Sequence, residues 1–232
     1  MPWKAQATGT WPRRLVTNQK LQKLEDFTRG EKEESVEAPS LADLIDEDEV
    51  SHLLAQYGPG QRWQVARDVP ADFFEEWWER LVVRPNRRGE VVLAIQRPDG
   101  NVLLHTKPFY PEGVFRLPSG GVHPGEPVLT GAIREAREET GLEVGIGRFL
   151  GMVEYTFRHA GRQMAFVSYV LLMPAGDDPP AAQDTKERIS GFRYVAIPEL
   201  RTIAAQLRGL PAPWSDWGHF RAPPHNLAAD ML

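Results

Sequence analysis

The stretch 120-GGVHPGEPVLTGAIREAREETGL-142 decides how this chain is read. Pro127 suits a first helical position and Gly141 suits the residue just past a helix end, so a helix is predicted between them. Leu129, Ala132, Ile133 and Ala136 repeat at i, i+3, i+4 and i+7 and define its buried face. Glu135, Glu138 and Glu139 stand in the same helical relation, which gathers three carboxylates on a neighbouring stripe, and Glu126 lies just before the helix. Each like-charge pair at this spacing costs an isolated helix roughly 0.2–0.5 kcal/mol, and Arg134 precedes Glu138 by four residues, the less favourable order for a helical ion pair. A divalent cation relieves such repulsion: Mg²⁺ is hard, takes oxygen ligands and is typically held by one or two carboxylates together with substrate phosphates. The glycines of 119-SGGVHPG-125 let the backbone turn tightly and approach such a site.

Outward from this stretch the hydrophobic period changes. Residues 91-VVLAIQ-96 and 101-NVLLHTK-107 read as strands around the turn Arg97-Pro98-Asp99-Gly100. Residues 113–118 read as a short strand ahead of the glycine-rich loop. Further strands are predicted at 147–157 and 163–173, flanking a hairpin turn at His159-Ala160-Gly161, and at 191–196. A helix over 198–207 is opened by Pro198. On the N-terminal side, Leu41, Leu44, Ile45, Leu53 and Leu54 predict a short amphipathic helix ending at 58-GPG-60. A second helix is predicted over 71-ADFFEEWWERL-81, where Phe73/Trp77 and Phe74/Trp78 pair at i,i+4. So much aromatic surface must be buried, either against the same chain or in a homodimer interface. Strands interspersed with helices, both sheet faces covered, give an α/β (α+β) layered domain.

Composition narrows the chemistry. The chain has 232 residues, 41% of them hydrophobic, and no Cys. That length suits one domain with extensions or two small ones. The lack of Cys excludes a disulfide scaffold, a zinc finger and a cysteine nucleophile. No apolar run approaches the roughly 20 residues needed to cross a bilayer, and the start lacks the apolar core of a secretory signal. A cytoplasmic protein without membrane association is expected. Residues 1–30 are basic and read as an untethered tail, with a weak organelle-targeting segment as the alternative. The stretch 30-GEKEESVEAPS-40 reads as a disordered acidic linker. The nearly neutral remainder argues against a nucleic-acid surface, which needs a basic stripe. The end, 213-PWSDWGHFRAPPHNLAADML-232, brings Trp214, Trp217, Phe220 and His225, which either fold over the same chain or close a neighbouring subunit's pocket.

Segment 120–142 resembles the signature of the Nudix hydrolases, G-x5-E-x7-R-E-U-x-E-E-x-G-U, with U a bulky aliphatic residue. Gly120, Glu126, Arg134, Glu135, Glu138, Glu139, Gly141 and Leu142 fall in place, and Ala136 is smaller than the usual aliphatic. LPSGG at 117–121 stands where the family commonly has LPGG. The resemblance implies an α/β/α sandwich with a mixed β-sheet over residues 90–207. Outside it would lie the tail and linker (1–40), a helical N-terminal extension (41–89) and a C-terminal extension (208–232).

The same resemblance implies Mg²⁺-dependent, or Mn²⁺-dependent, cleavage of a diphosphate linkage in a nucleoside diphosphate derivative. Glu138 and Glu139 become principal metal ligands, Glu135 and Glu126 support them, and a carbonyl near Gly120 adds a further ligand. Arg134 orients the carboxylates. The general base is open among a box glutamate such as Glu139, the later Glu187, and His159. Lys107, Arg116, Gly121 and His123 are the candidates for substrate contacts. The markers of particular substrates are missing: Arg158 stands where ADP-ribose enzymes often carry a proline, and His159 and Ala160 where dinucleoside polyphosphate enzymes carry a tyrosine. NADH and coenzyme A signatures are absent. A nucleoside triphosphate or nucleotide sugar is left by elimination. The alternative to turnover is a nucleotide sensor or interaction module on the same fold; an isomerase of related fold usually needs the cysteine this chain lacks.

Overall fold

The structure, a computed structural model, describes residues 38–232. The basic tail and most of the acidic linker lie outside the described residues. The predicted N-terminal helix is two helices, α1 (Leu41–Leu44) and α2 (Glu47–Tyr57). The break has a local cause: Ile45 is extended, and the Asp46 carboxylate accepts the N–H groups of Asp48 and Glu49 at 3.0 Å, capping a fresh helix.

Next comes a strand that the sequence reading leaves out, β1 (Gln61–Asp68), so this extension is not wholly helical. The aromatic helix α3 (Ala71–Trp78) follows and widens into a π-turn over Glu79–Val83. Strands β2 (Gly89–Gln96) and β3 (Val102–Thr106) form the expected hairpin. The predicted strand at 113–118 is a loop that touches the sheet through an Arg116–His105 bridge and through the Pro118 carbonyl, which accepts the Leu93 N–H at 2.9 Å. The strand lies one step later: β4 (Ser119–Val122) occupies what reads as a glycine-rich loop. Pro118 has no N–H to give a ladder, whereas Gly120 and Gly121 pair with Val91 and Glu90.

Helix α4 (Val128–Thr140) leaves Pro127 at its N-cap rather than at its first turn, and Gly141 ends it in the left-handed region at φ +68°. After it come β5 (Arg148–His159), β6 (Arg162–Pro174), a 3₁₀ turn over Thr185–Glu187, β7 (Gly191–Val195), α5 (Glu199–Arg208) and α6 (Ser215–Met231). The sheet is mixed, ordered β1-β5-β6-β2-β3-β7, with β4 pairing the first half of β2. β1 runs parallel to β5 and β2 parallel to β6; the other pairs are antiparallel.

Alternation along β2 divides the core. Val91, Leu93 and Ile95 face a cluster with Leu44, Val50 and Leu53 from α1 and α2 and Val128, Ala132 and Ala136 from α4. Val92 and Ala94 face the opposite cluster, built with α3, α5 and α6. The result is the expected α/β/α sandwich. Both aromatic segments are buried by their own chain: Phe220 of α6 lies 5.0 Å from the rings of Trp77 and Tyr155 and 5.7 Å from Phe166. Among the described residues no helix is long and apolar enough to cross a membrane.

α6 is also latched through a histidine. His225 Nδ1 lies 2.8 Å from the Arg221 carbonyl, which can only accept, so Nδ1 carries the proton and Nε2 accepts the Leu117 N–H at 2.9 Å. Burial of this neutral ring lowers its pKa from 6.5 to about 3. The unfolded chain therefore binds the extra proton, and the contribution of His225 to stability is intact above pH 6.5 and lost as pH falls toward 3. Between pH 7 and pH 5 this one group should remove about 2 kcal/mol. Urea titrations at both pH values check it: His225→Gln should flatten the acid loss by that amount, and an unchanged slope would refute the latch.

Candidate active site

The site begins with a close approach. α4 lies across β4 so tightly that a Cβ at Gly120 would fall inside the Glu135 carboxyl group. This contact turns the helix from its expected orientation. The buried residues of α4 are Val128, Gly131, Ala132, Glu135, Ala136, Glu139 and Thr140, while Ile133 is exposed. Two of the gathered carboxylates thus point into the protein rather than along a solvated stripe.

Arg134 holds three of the four glutamates. Its Nε and Nη2 donate to the two oxygens of Glu126 at 2.9 and 2.8 Å, and its Nη1 to Glu135 at 2.8 Å and Glu138 at 3.1 Å. Nη2 also donates to the Gly121 carbonyl at 2.8 Å, tying the helix to β4. This two-pronged grip, helped by the His123 N–H, lowers the Glu126 pKa to about 2. Burial raises that of Glu135.

Glu139 is the fourth and lies fully buried. Its Oε2 accepts the Ser119 N–H at 2.9 Å. Its Oε1 forms no hydrogen bond among the described residues, although Lys107 Nζ stands 3.4 Å away. Burial pushes its pKa up to about 7, against the opposing pull of Arg116 and Lys107. Lys107 reaches on to Glu187 at 2.7 Å. The loop carrying Glu187 is held by the end of α4, where the Glu138 carbonyl accepts the N–H groups of Gln183 and Asp184.

The structure therefore brings Gly120, Gly121, Glu126, Arg134, Glu135, Glu138, Glu139, Lys107 and Glu187 together. Arg116 is different: it is buried, and its guanidinium is spent on Tyr110 Oη, the Leu117 carbonyl and Ser119 Oγ, which turns it away from any substrate in solvent. His123 is exposed at the rim, 3.9 Å from Glu126. His159 binds the Val69 carbonyl and lies against Phe74, away from the carboxylates.

Sequence reasoning missed Ser119 and His105. His105 is fully buried, its Nδ1 is 3.8 Å from Glu139 Oε2, and neither ring nitrogen has a hydrogen bond among the described residues. Burial and the charges of Arg116 and Lys107 keep it neutral. A polar residue inside the apolar run 101-NVLLHTK-107 was the available signal.

Gly120→Ala follows directly from the close approach. The obstructing group is the end of a flexible side chain, so the Glu135 carboxyl should swing aside. We expect a stability loss of only about 1 kcal/mol but a roughly 100-fold drop in turnover, because small displacements of catalytic groups are expensive. Denaturation curves and steady-state rates read the two effects separately; wild-type turnover would contradict the geometry.

A NUDIX domain model matches residues 82–217, more than half the chain. The chain belongs to the Nudix family. Among curated Nudix relatives, the NAD-capped RNA hydrolase NudC of Pseudomonas aeruginosa is 31% identical over 126 residues, 53% of this chain and 43% of that protein. An RNA pyrophosphohydrolase of Erythrobacter litoralis is 33% identical over 78 residues, 34% of this chain and 42% of its own. The chain thus spans less than half the length of these relatives. Similar solved structures include a Nudix hydrolase from Nitrosomonas europaea (23% identity, 58% of this chain and 86% of that one, TM-score 0.41). A MutT Nudix hydrolase from Burkholderia pseudomallei is 26% identical, with coverage of 62% and 95% and a TM-score of 0.41.

Among the described residues no three His, Cys, Asp or Glu side chains are already drawn around one point; Arg134 holds Glu126, Glu135 and Glu138 instead. Their chemistry nevertheless fits a divalent cation. Glu135, Glu138 and Glu139 offer hard oxygens from one helix, and the buried Oε1 of Glu139 forms no hydrogen bond among the described residues, with Lys107 Nζ 3.4 Å away. Binding would require Glu135 and Glu138 to yield part of their bonds to Arg134.

Proposed function

We propose that this chain is a divalent-cation-dependent Nudix pyrophosphohydrolase that cleaves the diphosphate linkage of a nucleoside diphosphate derivative. The observation that carries this reading is the approach of α4 to Gly120, with Glu135 and Glu139 buried beside the more exposed Glu138. Glu135, Glu138 and Glu139, with the Gly120 carbonyl and Glu126 in support, would hold Mg²⁺, with Mn²⁺ as the alternative. The cation supplies charge neutralisation on the phosphate oxygens. Arg134 keeps the carboxylates in register. Lys107, Gly121 and His123 line the approach for phosphates.

In the reaction a water oxygen bonds to one phosphorus, the bond from that phosphorus to the bridging oxygen breaks, and the second phosphate leaves. The water's proton passes to a carboxylate. Glu139 is one candidate to accept it, through the Oε1 that forms no hydrogen bond among the described residues. Glu187 is the second candidate, held at the site's edge by Lys107. Arg116 is assigned to the scaffold rather than to the substrate.

The near-neutral net charge of the body does not favour a polynucleotide, so a free nucleotide derivative is the first candidate. The relatives' names add RNA-linked diphosphates to the trial. The deciding experiment is product analysis with nucleoside triphosphates, nucleotide sugars, ADP-ribose, dinucleoside polyphosphates and an NAD-capped RNA, with Mg²⁺ and with a chelator. Cleavage of at least one compound, abolished by the chelator, is expected. Tight nucleotide binding without product would favour the sensor reading.

A further inference from the structure

The Nudix match ends at residue 217, yet α6 runs on to Met231 and two of its side chains reach the segment entering β4. Arg221 Nη1 donates to Glu90 Oε2 at 2.7 Å and to Ser119 Oγ at 3.2 Å. Arg116 Nη1 donates to the same hydroxyl at 2.7 Å. One helical turn after Arg221, His225 accepts the Leu117 N–H. The spacing matches: four helical residues rise about 6 Å and two extended residues span about 6.6 Å. Positions 221 and 225 therefore grip positions 119 and 117 in antiparallel register. The N–H of the gripped Ser119 is the group that donates to Glu139 Oε2 at 2.9 Å. Glu90, Ser119, Glu139 and His225 are all buried, so none of these bonds competes directly with solvent.

We propose that α6 is a positioning element of the catalytic centre. Arg221, seated on Glu90, fixes the Ser119 hydroxyl; His225 fixes Leu117; and the Ser119 N–H so held aims the Glu139 carboxylate. Neither Arg221 nor His225 acts on substrate. The inference rests on reading Glu139 as a ligand or base, and it assigns a task to the stretch beyond the family match.

The test uses the full chain and Arg221→Met. Because that change strands the buried Glu90 carboxylate, the double variant Glu90→Gln/Arg221→Met removes both charges together. Two quantities are read: Mn²⁺ affinity without substrate, by electron paramagnetic resonance, and kcat and KM on the panel compound cleaved fastest. The single variant should bind Mn²⁺ about 10-fold more weakly and lose about 10- to 100-fold in kcat, with KM moving less than about 2-fold. The double variant should regain most of the lost Tm but neither the Mn²⁺ affinity nor kcat. Recovery of both with Tm would make the pair a structural salt bridge and overturn the proposal, as would wild-type Mn²⁺ affinity in the single variant. Failure of the functional reading is separate: the unaltered chain would cleave nothing.

Discussion

Glu139→Gln is expected to cost about 10³-fold in turnover while leaving the fold intact. The amide keeps the shape and can still accept the Ser119 N–H, so the packing of α4 on β4 survives. It loses the negative charge that a divalent cation or an attacking water needs. Stability should move the other way. The Glu139 pKa is raised from 4.5 to about 7 in the fold, so the folded chain holds this proton more tightly than the unfolded one. Its contribution is fully present below pH 4.5 and is lost as pH rises through 7. At pH 8 the metal-free protein carries a buried, incompletely paired carboxylate that the Gln variant lacks. The variant should therefore melt at least as high as the parent at pH 8, and the gap should narrow near pH 5. Calorimetry of the two metal-free proteins at both values, beside rate measurements with Mg²⁺, tests both halves. Full activity would remove Glu139 from the mechanism, and a large fall in Tm at pH 8 would show that its charge is satisfied after all.

What could be read from the sequence followed from local rules. Pro127 and Gly141 bracket α4 because capping depends on neighbours in the chain, and the turn Arg97-Pro98-Asp99-Gly100 marks a hairpin for the same reason. Helical spacing also showed that Glu135, Glu138 and Glu139 share a region of one helix. Which side that region faces was not local. It depends on β4, where glycine leaves room for the Glu135 carboxyl, and so the apolar Ile133 ends up in solvent while two carboxylates are buried. β1 escaped notice because it is an edge strand with one half-buried face: Trp63 and Val65 alternate with polar residues over too short a run to stand out.

The C-terminal helix was hidden by Pro223 and Pro224, which remove two helical N–H donors and normally end a helix. Yet Trp217, Phe220, Pro224, Leu227 and Ala228 keep helical spacing across the pair, and they are the residues that pack. The bonds that α6 makes to the site, Arg221 to Ser119 and His225 to Leu117, join positions about a hundred residues apart. No spacing rule reaches that far.

Phe220→Ala measures what that helix contributes to the fold. Phe220 is buried among Trp77, Tyr155, Phe157 and Phe166, and its own carbonyl accepts the Tyr155 hydroxyl at 3.0 Å. Truncation would leave a cavity between α3, α6 and the sheet, walled by large rings that cannot easily collapse into it. The expected cost is about 3–5 kcal/mol, which for a chain of this size lowers Tm by roughly 6–20 °C. Phe220→Leu, which fills part of the space, should lose less than half as much. Because the ring is buried by its own chain, Tm of the parent and of both variants should not depend on protein concentration. If α6 instead closed a neighbouring subunit's pocket, dilution would lower Tm of the parent and Phe220→Ala would abolish that dependence. A loss under about 1 kcal/mol would mean that the aromatic cluster holds without this ring, and α6 could then not be rigid enough to hold Ser119 in place.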